Sequence, residues 1–313
     1  MERLKEKYTI DGKELIKPET QSRYLGIDEF KLHNGYKYAT HIIDLETGHI
    51  LWIQEGKKKQ VVYDFMNHVG DEWMKNVIAV ACDMNSDFEE AFKDKYSHIT
   101  IVFDHFHIIK NYNDKVIGAI RKEEQKRLEA EGKIEEAKTL KRSKYILTSS
   151  ISTLLKKDEE ASQNKVISKG SELFHKQEVI RKGGKEEKYK KIMKENKLLF
   201  TAELIKEKLN GAYSLNDKVQ MLKEIDEIIE MCKSNGNKHF LWFARLLETH
   251  YDGIISHATY KISSGKIEGI NNKIKTLRRR VCQAKCVSYL IFRELNNYIS
   301  TTFVQEPLFK FFN

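Results

Sequence analysis

Val77–Met84 reads VIAVACDM, Asn85–His98 reads NSDFEEAFKDKYSH and Ile99–Lys110 reads ITIVFDHFHIIK. The outer two are apolar runs that end at Asp83 and Asp104, and the segment between them has a mixed, helical pattern. Continuous Val/Ile runs without polar alternation suit strands buried on both faces, and a helix between them makes a β-α-β crossover. Ligands of such sheets gather at the carboxyl ends of the strands, so both aspartates mark one sheet edge as a candidate carboxylate site. A local role, with Asp83 capping the helix that starts near Asn85, uses the same residue type. Both readings stand on this stretch.

Upstream, RYLGIDEF forms a short strand in which Asp28 follows Gly26 and Ile27. YATHIIDLETGHILWIQEG reads as a hairpin around Glu46-Thr47-Gly48, with Gly48 suited to the positive φ of a tight turn. From Lys58 to Trp73, apolar residues at 61, 62, 65, 66, 69 and 73 keep the rhythm of one amphipathic helix. The order is three strands, a helix, a strand, a helix and a strand. That order predicts an α/β fold with a mixed five-stranded sheet covered by helices on both sides.

Residues 1–20 are polar, carry Pro18 and read as a leader; residues 21–112 make the first part of the core. Residues 113–257 turn to lysine- and glutamate-rich helical sequence, a large all-helical insertion with its breaks at Ser162–Gly170 and at Gly183-Gly184. Trp242 and the aromatics around it are read as core, not as base-stacking platforms. Residues 258–301 return as helices that complete the core, and 302–313 form a tail.

Lys plus Arg is 55 against 46 for Asp plus Glu, a net charge of +9, which favours a polyanionic partner such as nucleic acid. The four cysteines, Cys82, Cys232, Cys282 and Cys286, have neither metal-finger spacing nor a disulfide framework, and are read as free thiols in a reducing compartment. The start lacks the apolar core of a signal peptide and no apolar run approaches the roughly 18 residues of a membrane span, so the expected location is the cytoplasm, without membrane contact.

In SSGKIEGINNKIKTLRRRVCQAKC, Ile267, Ile270, Ile274, Leu277 and Val281 form one buried helical seam. Glu268 lies in the first turns, with Asn272, Lys275 and Arg279 on its side at steps of four, three and four. Between Lys266 and Lys285 stand seven basic residues and one acid. A carboxylate near a helix start and a solvated basic face are also what the helix dipole and ordinary solubility favour.

Together, GIDEF, ACDMNSDFEEAF, VFDHFHIIKNYN and SSGKIEGINNKIKTLRRR, with LKRSKYILTSSISTLL and LLFTAELIKEKLNGAYSLND between the last two, resemble the ISL-three family of bacterial insertion-sequence transposases over about residues 21–300. The resemblance implies a ribonuclease H-like core of the Asp-Asp-Glu class, interrupted by a helical insertion. Residue by residue, Asp28, Asp83 and Glu268 match the catalytic carboxylates. Two divalent ions, Mg²⁺ or Mn²⁺, would be held there, and hard cations of this kind want oxygen ligands. Asp104 and His107 match an Asp-x-x-His motif that supports the site, and Asp83 is preferred to Asp104 as the second catalytic carboxylate because it ends the preceding strand. His105 is expected to be exposed, and Glu29 to face away from Asp28. Lys273, Lys275, Arg278, Arg279, Arg280 and Lys285 would hold DNA through phosphate contacts.

The implied activity is metal-dependent strand cleavage and strand transfer on double-stranded DNA, both transposon ends and target, by a homo-oligomer on paired ends. Two departures bear on it. No Cys-x-x-Cys pair precedes Asp28, so the chain looks shortened where an end-reading zinc-ribbon and helix-turn-helix region is expected, and VCQAKC replaces an aromatic-glycine pair. The alternatives are an inactive DNA-binding remnant and a ribonuclease H-like nuclease without strand transfer.

Overall fold

The computed structural model describes residues 21–31, 38–84, 86–163, 166–169, 177–180, 182–262 and 265–280. Strands β1 (Tyr24–Lys31), β2 (Tyr38–Asp44), β3 (Ile50–Glu55), β4 (Ala79–Cys82) and β5 (Thr100–Phe103) form one sheet in the order β3-β2-β1-β4-β5. The β1/β2 and β2/β3 pairs are antiparallel and the β1/β4 and β4/β5 pairs parallel, which is the ribonuclease H-like arrangement. At the β2/β3 turn Gly48 takes φ 82°, and the Asp44 carboxylate accepts from the Glu46 and Thr47 amides.

Side-chain alternation divides this sheet into two faces. Leu25, Ile27, Ile42 and Trp52 lie on one, where Trp52 meets Phe65 of helix α1 (Lys59–Val69) with ring centroids 6.1 Å apart. The single helix expected over Lys58–Trp73 is in fact two. Gly70, at φ 84°, ends α1 and a short helix α2 (Asp71–Met74) follows, because the positive φ breaks the ladder while the apolar positions stay buried. Helix α3 (Ser86–Lys95) makes the crossover from β4 to β5. Phe30, Ile43, Ala79 and Ala81 lie on the other face, in a core shared with Ile267 and Ile270.

The chain forms two compact units. One runs to His107, takes in Asn216–Lys218 and resumes at His250; the other holds Ile108–Leu215 and Val219–Thr249. The expected seams were 112/113 and 257/258. Helix α4 (His105–Asn111) begins in the first unit. His105, expected to be exposed, is half-buried there.

The second unit is helical, with a π-turn at Tyr112–Ile117, helices α5 (Gly118–Ala130), α6 (Ile134–Leu140), α7 (Lys144–Thr148), α8 (Ile151–Ser162), α9 (Lys185–Glu195), α10 (Lys197–Ser214), α11 (Lys218–Asn235) and α12 (Lys238–Thr249). It is not all-helical. Strands β6 (Val166–Lys169) and β7 (Gln177–Ile180) pair antiparallel inside the stretch read as a helix break, where β-branched residues favour a ladder. Tyr112 packs on Phe243 and donates its hydroxyl to the Ala202 carbonyl at 2.7 Å. Phe240 and Phe243 are fully buried, whereas Trp242, read as core, is 38% exposed because it lies on the outer side of α12.

The described part of the first unit also holds α13 (Tyr251–Tyr260) and α14 (Gly265–Arg280). Gly253 of α13 lies against the Phe103 ring so closely that a Cβ would fall 2.4 Å from it. Among the described residues, no helix is long and apolar enough to cross a membrane.

Candidate metal centre

The register pairs Gly26 with Ala81 and Ala81 with Val102; Asp28 stands two residues further along β1, and Asp83 and Asp104 directly follow the ends of β4 and β5. Side chains two residues apart share a face, so Asp28 stands on the Gly26 face, the one covered by α14. Asp28, Asp83 and His107 each offer one ligand atom, and these atoms lie within 4.8 Å of one another. All three side chains are half-buried.

Local structure aims the imidazole. Asp104 ends β5 and opens α4, its Oδ1 accepting from the Phe106 amide at 3.3 Å. Three residues on, His107 turns back over the helix start and its Nδ1 lies 3.0 Å from Asp104 Oδ2. Asp104 thus caps the start of α4 through the Phe106 amide, and the Asp-x-x-His spacing brings the imidazole back onto the capping carboxylate. With Nδ1 engaged, Nε2 is the nitrogen left for a ligand. This carboxylate–histidine pairing is how protein sites usually fix an imidazole for a metal.

Burial raises the Asp28 pKa, and the Glu29 amide on Oδ1 (2.7 Å), the His107 charge and the Asn271 amide offset only part of that. For His107, burial acts to lower the pKa but is outweighed by the Asp104 hydrogen bond and by the charges of Asp28, Asp104 and Asp83, so the net shift is upward. Two carboxylates and an imidazole in partial burial therefore form a site short of positive charge, and a divalent cation suits it. The donors are hard carboxylate oxygens and one borderline nitrogen, which fit a divalent cation.

The remaining expected residues are placed as follows. Glu268 is exposed in the first turn of α14 and outside the group of three. Lys273, Lys275, Arg278, Arg279 and Arg280 lie along α14, but their side chains are outside the described structure, as is all of Lys285. Glu29 pairs with Thr40 along β1, on the opposite face from Asp28. One site residue escaped the sequence reading. Asn271 is buried, and its Nδ2 donates to Asp28 Oδ2 at 2.6 Å. The signal was present: Asn271 stands four residues after Ile267, a buried-seam position where an amide needs a polar partner.

The profile of the ISL3-type DDE transposases, described simply as transposase, matches residues 25–292. The chain belongs to this transposase family. It is also similar to the transposase for insertion sequence element IS1001 of Bordetella parapertussis, 23% identical over 257 residues, a match that covers 82% of this chain and 56% of that protein. The chain thus spans little more than half the length of this curated relative. No solved structure gives a significant match. For an ISL3-family transposase, the cluster at the edge of β1 and β4 lies inside the matched region, as does all of α14.

Proposed function

We propose that this chain is the catalytic part of a DNA transposase that cleaves and transfers the strands of an insertion sequence. The observation that carries the reading is the convergence of Asp28 and Asp83, from adjacent parallel strands, with His107 within 4.8 Å. Bound divalent ions, Mg²⁺ or Mn²⁺, would activate the attacking oxygen and stabilise the leaving one. Asp28, Asp83 and Glu268 would be the carboxylates that hold them. Asp104 keeps the His107 ring in place at the rim.

Support for Glu268 comes from its position on α14. It precedes Asn271 by three residues, so it is about 4.5 Å along the axis and about 60° around it from the side chain that touches Asp28. The backbone of α14 then carries Lys273, Lys275 and Arg278–Arg280 onward from the same edge. These, with Lys285, would hold double-stranded DNA by its phosphates, with binding that falls steeply as salt rises. Two DNA ends would be paired by a homo-oligomer in the cytoplasm.

The test is cleavage, with Mg²⁺, of a duplex carrying the terminal repeat of the parent insertion sequence. Asp83→Ala and Glu268→Ala should each abolish cutting and keep DNA binding. Cutting by either variant would refute its assignment, and cutting without joining by the native chain would point to a nuclease.

A further inference from the structure

Helix α14 is matched to β1 residue by residue. Ile267 packs over Gly26, where an added Cβ would meet its Cδ1 at 2.6 Å, and Asn271 reaches Asp28. One step of four along the helix rises about 6 Å, and one step of two along the strand about 6.6 Å, so the two elements keep pace only if they run alongside each other. At the start of the helix, Lys266 donates its ammonium to the Leu45 and Glu46 carbonyls, each at 2.6 Å, and holds that end to the β2/β3 turn. The Asn271 side chain is thereby delivered to Asp28 by a helix anchored at two further points.

The amide orientation is set by its partner, since a carboxylate accepts and only the NH₂ end donates. Among the described residues its other atom, Oδ1, has no hydrogen-bond partner and is buried, while Asn271 as a whole is 8% exposed. An orphaned buried carbonyl loses its hydration with nothing in return, so an acceptor of this kind calls for a donor. It lies on the same side chain that holds Asp28, and a water in the shell of a bound cation would supply that donor.

We propose that Asn271 is a positioning residue of the metal centre. Its NH₂ locks the Asp28 carboxylate in the orientation that meets the cation, and its carbonyl accepts from a cation-bound water. This rests on the reading that Asp28 and Asp83 hold the metal. It goes beyond that reading by giving α14 a second function in the site, separate from that of Glu268.

The experiment is Mn²⁺ binding to the full chain without DNA, followed by electron paramagnetic resonance of the free ion. Asn271→Leu is the informative variant, because leucine has nearly the shape of asparagine, suits a helix and satisfies the apolar seam. It should fold at least as well as the native chain and bind Mn²⁺ about 10–100-fold more weakly, the usual loss when a group that orients a ligand is removed. Asn271→Ala should show the same loss, and Asn272→Ala, at the exposed neighbour, should bind as the native chain does. Native affinity in Asn271→Leu or Asn271→Ala, with Asp83→Ala deficient, would overturn the role of Asn271 alone. Native affinity in Asp83→Ala would overturn the metal reading itself. If Asn271→Leu lost secondary structure by circular dichroism, Asn271→Ala would decide the matter by the same criterion.

Discussion

Gly26→Ala places a methyl group where α14 meets the sheet. Its Cβ would lie 2.6 Å from Ile267 Cδ1 and 2.8 Å from Leu45 Cδ2. Carbon atoms rest at roughly 3.5–4.0 Å, so each contact is overlapped by about 1 Å. Both neighbours are side-chain ends, but Ile267 is 1% exposed and Leu45 8%, which leaves them little room to yield. Overpacking of this kind costs about 1–3 kcal/mol, and alanine recovers about 0.5–1 kcal/mol of the entropic cost of glycine in a strand, for a net loss of up to about 2.5 kcal/mol. Ile267→Ala by itself should cost about 2–5 kcal/mol through the cavity it leaves. The double variant should then be more stable than the sum of the two losses by about 1–2 kcal/mol, because the second change removes the closer of the two contacts made by the first and opens space beside the other. Urea unfolding measures this in a Trp242→Phe background, where Trp52 and Trp73 report on the sheet unit alone. Additivity within about 0.5 kcal/mol would refute the close approach of α14 to β1.

His41, directly opposite Asp28 in the β1/β2 pair, is fully buried, and burial brings its pKa down to about 4 against a small opposing contribution from the Asp28 backbone. The folded chain therefore resists protonation there; stability is full above about pH 6.5 and falls toward pH 4, by about 3 kcal/mol from this residue. His41→Gln should flatten that part of the stability profile, and an unchanged slope would show that other groups carry it. In the helical unit, Lys206 lies buried with its Nζ 2.7 Å from Glu203 Oε2 and 2.9 Å from the Leu147 carbonyl. Glu203→Ala should cost about 3–5 kcal/mol by stranding the ammonium, whereas Glu203→Leu with Lys206→Met should be close to neutral; equal losses in thermal unfolding would contradict this.

Much of the sheet was legible from residue pattern alone. Unbroken apolar runs before Asp83 and Asp104 meant buried parallel strands, and the Glu46-Thr47-Gly48 turn meant a hairpin; both depend on contacts or dihedrals close in sequence. Local signals were less complete where short-range preferences competed. Gly70 divided a helix whose apolar rhythm ran straight through it, and a hairpin formed at Val166–Lys169 and Gln177–Ile180 where only a break had been read. Trp242 shows the limit of composition, since an aromatic at helical spacing still needs a neighbour to cover it.

At the candidate metal centre the sequence determined which chemistry was available: carboxylates on and just after strands, a histidine spaced to return onto its own helix cap, and a glutamate and asparagine on one late helix. It could not determine which of these share a pocket. Asp28 and Asn271 are 243 residues apart, and their hydrogen bond exists only because Gly26 lets Ile267 seat α14 against β1. Strand pairing brought Asp83 near Asp28, and helix rotation, set by the burial of Ile267 and Ile270, brought Asn271 onto Asp28 and left Glu268 exposed in the first turn. The tertiary structure decided these because the free energy of a seam depends on the surface that receives it, and that surface is assembled from strands far away in the chain.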